Sequence, residues 1–371
     1  MRTSPVIRVK SPAELLSLIP YKLGFIPDDS IVFVGLPASG KGGVMMSRID
    51  TPAFLAPEAF ESLVKHLEFL SSEGVGEIIM VSYNEAGAAD DALASAAGML
   101  SELGMLAEIW EVCDCGYRNR DRRTLRAGPW LPPEDILASR SAVEATRLGL
   151  TVAESVEDLA ALPEVSPADL RAAQRSAVRA TDTLLQASWT QATQLKNRSA
   201  RLFEKHLGRW EAALEGGVKV GRIPPTDLGR IVALANDASG RDAILAVIIG
   251  LPLEALAVLS TADDLEEPTS EEVVHLFFDP GICDPMPWAR SIAATELLRL
   301  AAAHATVARR GAVLHLAGWV AWRQADTAHL RILLDAADRT GGETLLGSLL
   351  RTLYEHGVFP PQRKEGSFGE Q

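Results

Sequence analysis

Three groups of residues have types and spacings suited to chemistry. The first lies in "IVFVGLPASGKGG" (31–43), where an apolar run enters Gly35, four residues, Gly40 and Lys41. That is most of the phosphate-cradling pattern G-x-x-x-x-G-K-[ST]. Such a loop works because backbone amides, the Lys, a magnesium-binding hydroxyl and a helix N-terminus all face the phosphates. Here Gly42 stands where the hydroxyl belongs, and Gly43 follows it. Two glycines are poor helix starters. The continuation "VMMSRID" has strand character and ends at Asp50-Thr51-Pro52. The expected structure is strand, Gly-rich turn, strand, a β-hairpin with Lys41 exposed at its tip.

The second group is Arg118, Arg120, Arg122, Arg123 and Arg126, beside Tyr117, in the polar segment 114–135. Forked guanidinium groups suit carboxylate or phosphate, and loops often carry function. One reading is an anion clamp for a phosphorylated or carboxylated small molecule. The other is a solvated loop, or one that pairs with acidic residues elsewhere in the chain. The third group is Cys113-Asp114-Cys115. Zinc takes four ligands, and the sequence offers no second C-x-C pair. Cys283 and scattered histidines would have to complete a site by folding, so the two cysteines are weak metal candidates.

Other residues are weighed against plain structural roles. "EEVVH" holds a single Glu-x-x-His, Glu272 with His275, where a di-iron bundle uses two plus further Glu. Asp28 and Asp29 precede a strand and read as turn formers. Trp319 and Trp322 lie three apart on one helix face and read as packing residues. No H-E-x-x-H, G-x-S-x-G or G-x-G-x-x-G pattern occurs. No catalytic residue is assigned, and no cofactor is implied.

The elements that must position these residues divide in two. Strands are expected at 30–36, 43–50, 76–83 and 105–113, with helices at 11–24, 56–74 and 89–104. The first opens on Ser11-Pro12 with Glu14 three residues after the cap. This alternation predicts an α/β domain over 1–150, a mixed sheet with a β-hairpin and flanking helices. From 166 onward nearly every segment has helical period. The segment 166–217 holds one long helix or two. Further helices are expected at 225–237, 240–250, 252–260, 270–278, 287–309, 312–324, 327–339 and 342–356. An all-α domain is therefore expected over 151–357, with a loose tail at 358–371. Its segment 314–342 reads as a helical hairpin with the contact residues Gly318, Ala321, Leu330, Leu334 and Ala337. That is either a tetratricopeptide-like pair or a generic antiparallel helix pair.

Composition bounds the function. The 371 residues are 47% hydrophobic and 23% charged, the balance of a globular chain. Thirty-six basic against 49 acidic residues give a net charge of −13, which works against indiscriminate binding to nucleic acid or anionic membrane. Three cysteines provide no disulfide framework and fit a reducing cytoplasm. The N-terminus has no apolar core of a signal peptide. The apolar stretch 243–259 is broken by Pro252 and Glu254 and reads as two core helices rather than a membrane span.

The stretch "SPAELLSLIPYKLGFIPDDSIVFVGL" (11–36) resembles the opening of an actinobacterial family, domain-of-unknown-function family 4192. The strand ending "RID" (48–50), "NDASGRDAIL" (236–245) and "AGWVAWRQAD" (317–326) are similar to it as well. The resemblance implies that the turn after the VGL strand is a variable link to the next strand, which agrees with the hairpin reading of Lys41. Relatives tend to carry a Cys- and Pro-rich segment near 113–128, where this chain has only Cys113, Cys115 and the arginines. The resemblance brings no activity, so no catalytic residue is carried over. The expected function is a cytoplasmic interaction or scaffold protein without catalysis, binding a protein partner or a second copy through its helical domain. The alternative is an enzyme or sensor that holds a small anion at the arginine loop.

Overall fold

The computed structural model describes residues 7, 9–40, 44–54, 63–64, 67, 70–71, 74–85, 87–147, 150, 152–216, 220–251, 277–278, 286–324, 326–356, 358 and 360. Two compact units divide the chain, one mainly Pro5–Leu159 and the other mainly Ala160–Pro361.

The first helix of the N-terminal unit, α1 (Pro12–Leu23), starts and stops where local chemistry dictates. The Ser11 hydroxyl accepts from the Glu14 amide at 3.3 Å, and the Glu14 carboxylate accepts from the Lys10 amide at 2.7 Å. Those contacts satisfy amides that a helix start leaves without partners. Gly24 ends the helix in the left-handed region at φ 81°.

Strands β1 (Ser30–Pro37) and β2 (Met45–Asp50) pair antiparallel from Ser30↔Asp50 to Gly35↔Met45. The Gly35–Gly40 pattern is thus a hairpin, as its glycines predict. Gly40 turns at φ 65°, and Lys41, Gly42 and Gly43 lie outside the described residues. A short α2 (Thr51–Phe54) follows. Of the helix expected over 56–74, residues 63, 64, 67, 70 and 71 are described and helical, with Leu63, Leu67 and Leu70 buried.

Strand β3 (Val75–Tyr83) runs antiparallel to β1. Helix α3 (Asp90–Glu102) then carries the chain to β4 (Leu106–Cys113), parallel to β3. A fifth strand, β5 (Gly116–Arg120), returns antiparallel to β4 and completes the order β2-β1-β3-β4-β5. The sheet is mixed, as expected, but β5 falls inside a segment expected to be an irregular polar break. "GYRNR" lacks the apolar alternation of a half-buried strand. It is the last strand of the sheet, its outer side is bridged by Leu131 and Ala127 at Tyr117 and Arg120, and its arginines are accommodated because Glu111 of β4 answers them. Ile31, Phe33, Met80 and Ile109 form the sheet's contribution to a core shared with Leu93, Ala96 and Leu100 of α3. Helices α4 (Glu134–Leu137), α5 (Arg140–Arg147) and α6 (Val156–Ala160) follow.

The helical unit resolves 166–217 into two helices, α7 (Pro167–Gln186) and α8 (Trp189–Gly216). Ser166 caps α7 through the Asp169 amide at 3.1 Å. Next come α9 (Pro225–Ala235) and α10 (Ala238–Ile249), the latter capped by Asp237 and ended by Gly250 at φ 78°. Of the helices expected over 252–260 and 270–278, only 277 and 278 are described, and both are helical. The stretch expected as one helix over 287–309 breaks at 304–306, giving α11 (Trp288–Ala303) and α12 (Val307–Arg323). Helices α13 (Thr327–Asp338) and α14 (Leu345–Glu355) complete the unit.

Helices α12 and α13 form the expected pair. An added Cβ at Gly318 would lie 3.6 Å from Leu330 and 3.9 Å from Leu333, and Ala321, Leu334 and Ala337 are buried. Asp326, at the end of the connecting turn, caps α13 through the His329 amide. Trp319 and Trp322 are packing residues: both are buried, against Phe277 and Phe278 respectively. The Trp322 indole donates to the Val358 carbonyl at 2.8 Å, tying one residue of the expected loose tail to α12. Residues 361–371 lie outside the described residues. Among the described residues no helix is long and apolar enough to cross a membrane.

Candidate anion-binding site

The five arginines do not share one loop. The β4–β5 register sets Arg118 opposite Glu111 and Arg120 opposite Ile109. Alternate residues of a strand share a face, so both guanidinium groups reach the Glu111 carboxylate, which is 5% exposed. Arg118 Nε donates to Glu111 Oε2. Arg120 Nη2 donates to Glu111 Oε1 at 2.8 Å and to Asp90 Oδ1 at 2.6 Å. Arg118 also stacks 4.2 Å over the Trp130 ring. Burial pushes the Glu111 carboxyl up, but hydrogen bonds and charge from Arg120 and Arg118 together outweigh it and hold the group below the usual carboxylate range. The reading that these arginines pair with acids of their own chain describes Arg118 and Arg120.

Arg122 and Arg123 stand differently. They follow β5 in a turn held by Asp121, whose Oδ1 accepts from the Thr124 amide at 2.7 Å, the Thr124 hydroxyl at 2.9 Å and the Arg123 amide at 3.1 Å. Those hydrogen bonds keep the Asp121 carboxyl below its ordinary range. Both arginines overhang a cleft of about 570 Å³ whose other wall is the small-residue face of α3, with Ala97, Gly98 and Ser101. Arg122 Nη1 donates to the Leu106 carbonyl at 3.2 Å, at the base of the cleft. No carboxylate is among the lining residues. Arg126 is exposed nearby and lies outside the lining.

Cys113 and Cys115 are joined by a disulfide, a single local bridge across the β4–β5 turn rather than a framework. The tight β4–β5 turn brings their Cα atoms within 5.3 Å, inside the range a bridge requires. In this state neither sulfur is a thiolate, the form that binds metal. Next to it, Gly116 sits at φ 128°, and an added Cβ would lie 2.0 Å from the Leu131 carbonyl oxygen. Among the described residues no group of three His, Cys, Asp or Glu could hold a metal ion. Glu272, His275 and Cys283 lie outside the described residues. Asp28 and Asp29 build the turn before β1: the Asp29 carbonyl accepts from the Thr51 amide at 2.9 Å, and that of Asp28 from Arg48 at 3.1 Å.

A second set of arginines escaped the reading of the sequence. Arg175 and Arg179 of α7, Arg198 of α8 and Arg230 of α9 line a groove of about 760 Å³. All four are exposed. Among the described residues only Arg230 reaches a carboxylate, Asp227 at 3.8 Å. Gly229 lets α9 approach α7 here, since an added Cβ would lie 2.2 Å from the Ala173 carbonyl oxygen. The Ser176 hydroxyl donates to the Thr226 carbonyl at 2.7 Å and ties the same crossing. One signal was legible. Arg171, Arg175 and Arg179 recur every four residues, which stacks them along one helix face. Arg198 and Arg230 join that face only through packing.

Comparison with known families gives one match. The model of the family described as "Domain of unknown function (DUF4192)" matches residues 12–262. No curated protein and no solved structure matches the chain.

Proposed function

The chain belongs to the DUF4192 family, and from that premise we propose a non-catalytic interaction protein that engages an acidic protein partner through its helical unit. One observation carries the reading: four exposed arginines converge on one groove that, among the described residues, no carboxylate lines. In a chain of net charge −13, such a spot is electrostatically selective, because the chain as a whole repels anions. The proposed setting is the cytoplasm, where the Cys113–Cys115 bridge would stand reduced. Labelled poly-glutamate is the direct probe. Binding should weaken steeply with salt and fall about tenfold in Arg175→Glu/Arg198→Glu. Binding that ignores both salt and the substitutions would overturn the proposal.

A second reading keeps a small-molecule site in the N-terminal unit. Arg122 and Arg123 over the α3 face favour a phosphate or carboxylate group, with the cleft's apolar wall taking an attached carbon skeleton. Phosphate and citrate should raise the unfolding temperature of the wild-type protein but not of Arg122→Glu/Arg123→Glu. Equal shifts in both proteins would remove this reading.

A further inference from the structure

The shape of the arginine groove says more about its occupant than charge alone. On α7 its lining runs from Ala172 to Leu184, which at 1.5 Å per residue is about 18 Å, or just over three helical turns. Its arginines are exposed, whereas Leu184, Leu195, Leu202 and Leu234 beneath them are half-buried or buried. The groove therefore has a basic rim and a leucine floor. Arg175 and Arg179 are one turn apart on α7, so their charges are spaced to meet carboxylates one turn apart on an opposing helix.

Nucleic acid fits this surface less well. Its backbone offers phosphates but nothing for the leucine floor. A compact metabolite would occupy a fraction of the 18 Å length. A helix with acidic residues on one edge and leucines on the next fills both the rim and the floor, the helix-in-groove mode of recognition.

We propose that the groove between α7, α8 and α9 docks an acidic amphipathic helix of a partner protein. The inference rests on the acidic-partner reading above and adds the requirement for helical register. The occupant's carboxylates pair with Arg175, Arg179, Arg198 and Arg230 by forked hydrogen bonds, and its leucines cover Leu184, Leu195 and Leu202.

The test is fluorescence anisotropy with the full-length chain at about 0.15 M salt. The probe is a labelled synthetic helix with Glu and Leu each recurring at i, i+4. The competitors are a scrambled peptide of the same composition, a Lys-for-Glu version, poly-glutamate and a duplex DNA oligonucleotide. The helical probe should bind at least about tenfold more tightly than the scrambled peptide. Arg175→Glu/Arg198→Glu should abolish that preference, and Arg175→Lys/Arg198→Lys should lose only part of the affinity, since Lys keeps the charge without the fork. The single variant Arg179→Ala, at an exposed site, serves if the double reversal disturbs folding, and should weaken the probe about threefold. Equal binding of scrambled and helical peptides overturns the helix requirement, while retained poly-glutamate binding keeps the acidic-partner reading. Tighter binding of DNA than of any peptide, or no binding of either acidic probe, overturns both.

Discussion

The two arginine clusters of this chain use one chemistry for opposite ends. In the N-terminal unit, Arg118 and Arg120 converge on a buried carboxylate, and each guanidinium charge is answered inside the sheet. In the helical unit, Arg175, Arg179 and Arg198 converge on a groove and meet no carboxylate among the described residues. What separates them is the number of acids the fold brings within reach. Glu111 is delivered to Arg118 and Arg120 by strand register. Among the described residues no comparable acid is delivered to the rim of α7 and α8. Matched charges knit a structure together, whereas unmatched ones line the surface proposed above to dock a partner.

Breaking the matched cluster should give the largest effect. Glu111→Gln leaves two guanidinium groups close together, with Arg120 only 8% exposed. It should cost roughly 3 kcal/mol of stability in urea unfolding, the low end of the scale for breaking a buried pair, because Arg120 keeps Asp90. Within the helical unit, Gly229→Ala forces a methyl group against the Ala173 carbonyl oxygen. A loss of about 2–3 kcal/mol is expected. Because it spreads α7 from α9, it should also weaken binding of acidic peptides, and intact affinity would show that the crossing does not shape the groove.

The third expectation concerns how each unit responds to acid. His315 of α12 is 3% exposed, with Nδ1 2.9 Å from the Thr344 hydroxyl. Burial pushes its pKa from 6.5 down to about 4. The folded state thus prefers neutral imidazole, and the unfolded state takes up the proton first. The contribution is complete above pH 6.5 and is lost as pH falls towards 4, to the extent of roughly 3 kcal/mol. Glu111 is also depressed, so its contribution is lost as pH falls from the usual carboxylate range through its lowered value. Unfolding curves of wild type and His315→Gln should converge in pH dependence above 6.5 and diverge below it. The smallest effect should come from the unmatched cluster. Arg175→Ala should leave stability within about 0.5 kcal/mol while reducing affinity for acidic probes. A large loss of stability there would show that the groove's arginines are structural after all.

Local signals carried much of the fold. Ser11, Ser166 and Asp237 cap helices where a side-chain oxygen should stand, and Gly24 and Gly250 end helices where a left-handed residue is needed. The glycine hairpin after β1 was legible for the same reason, since turn chemistry is decided within a few residues. Strand β5 was not legible, because "GYRNR" takes its strand conformation from hydrogen bonds to β4 rather than from its own pattern. The Cys113–Cys115 bridge was hidden behind the same strand: without the turn, two cysteines and an aspartate give no geometry.

Of the candidate site, the sequence by itself determined that five arginines stand close along the chain and that Arg175 and Arg179 share a helix face. Tertiary structure alone decided which arginines are neutralised and which face open space. Net charge and residue spacing are properties of the chain, but whether a guanidinium is matched depends on which acid strand register or packing brings to it. Asp90 reaches Arg120 across 30 positions, Arg230 meets the rim of α7 where Gly229 lets two helix backbones approach, and Arg198 joins it from α8. Those distances close through packing, which no window of sequence contains.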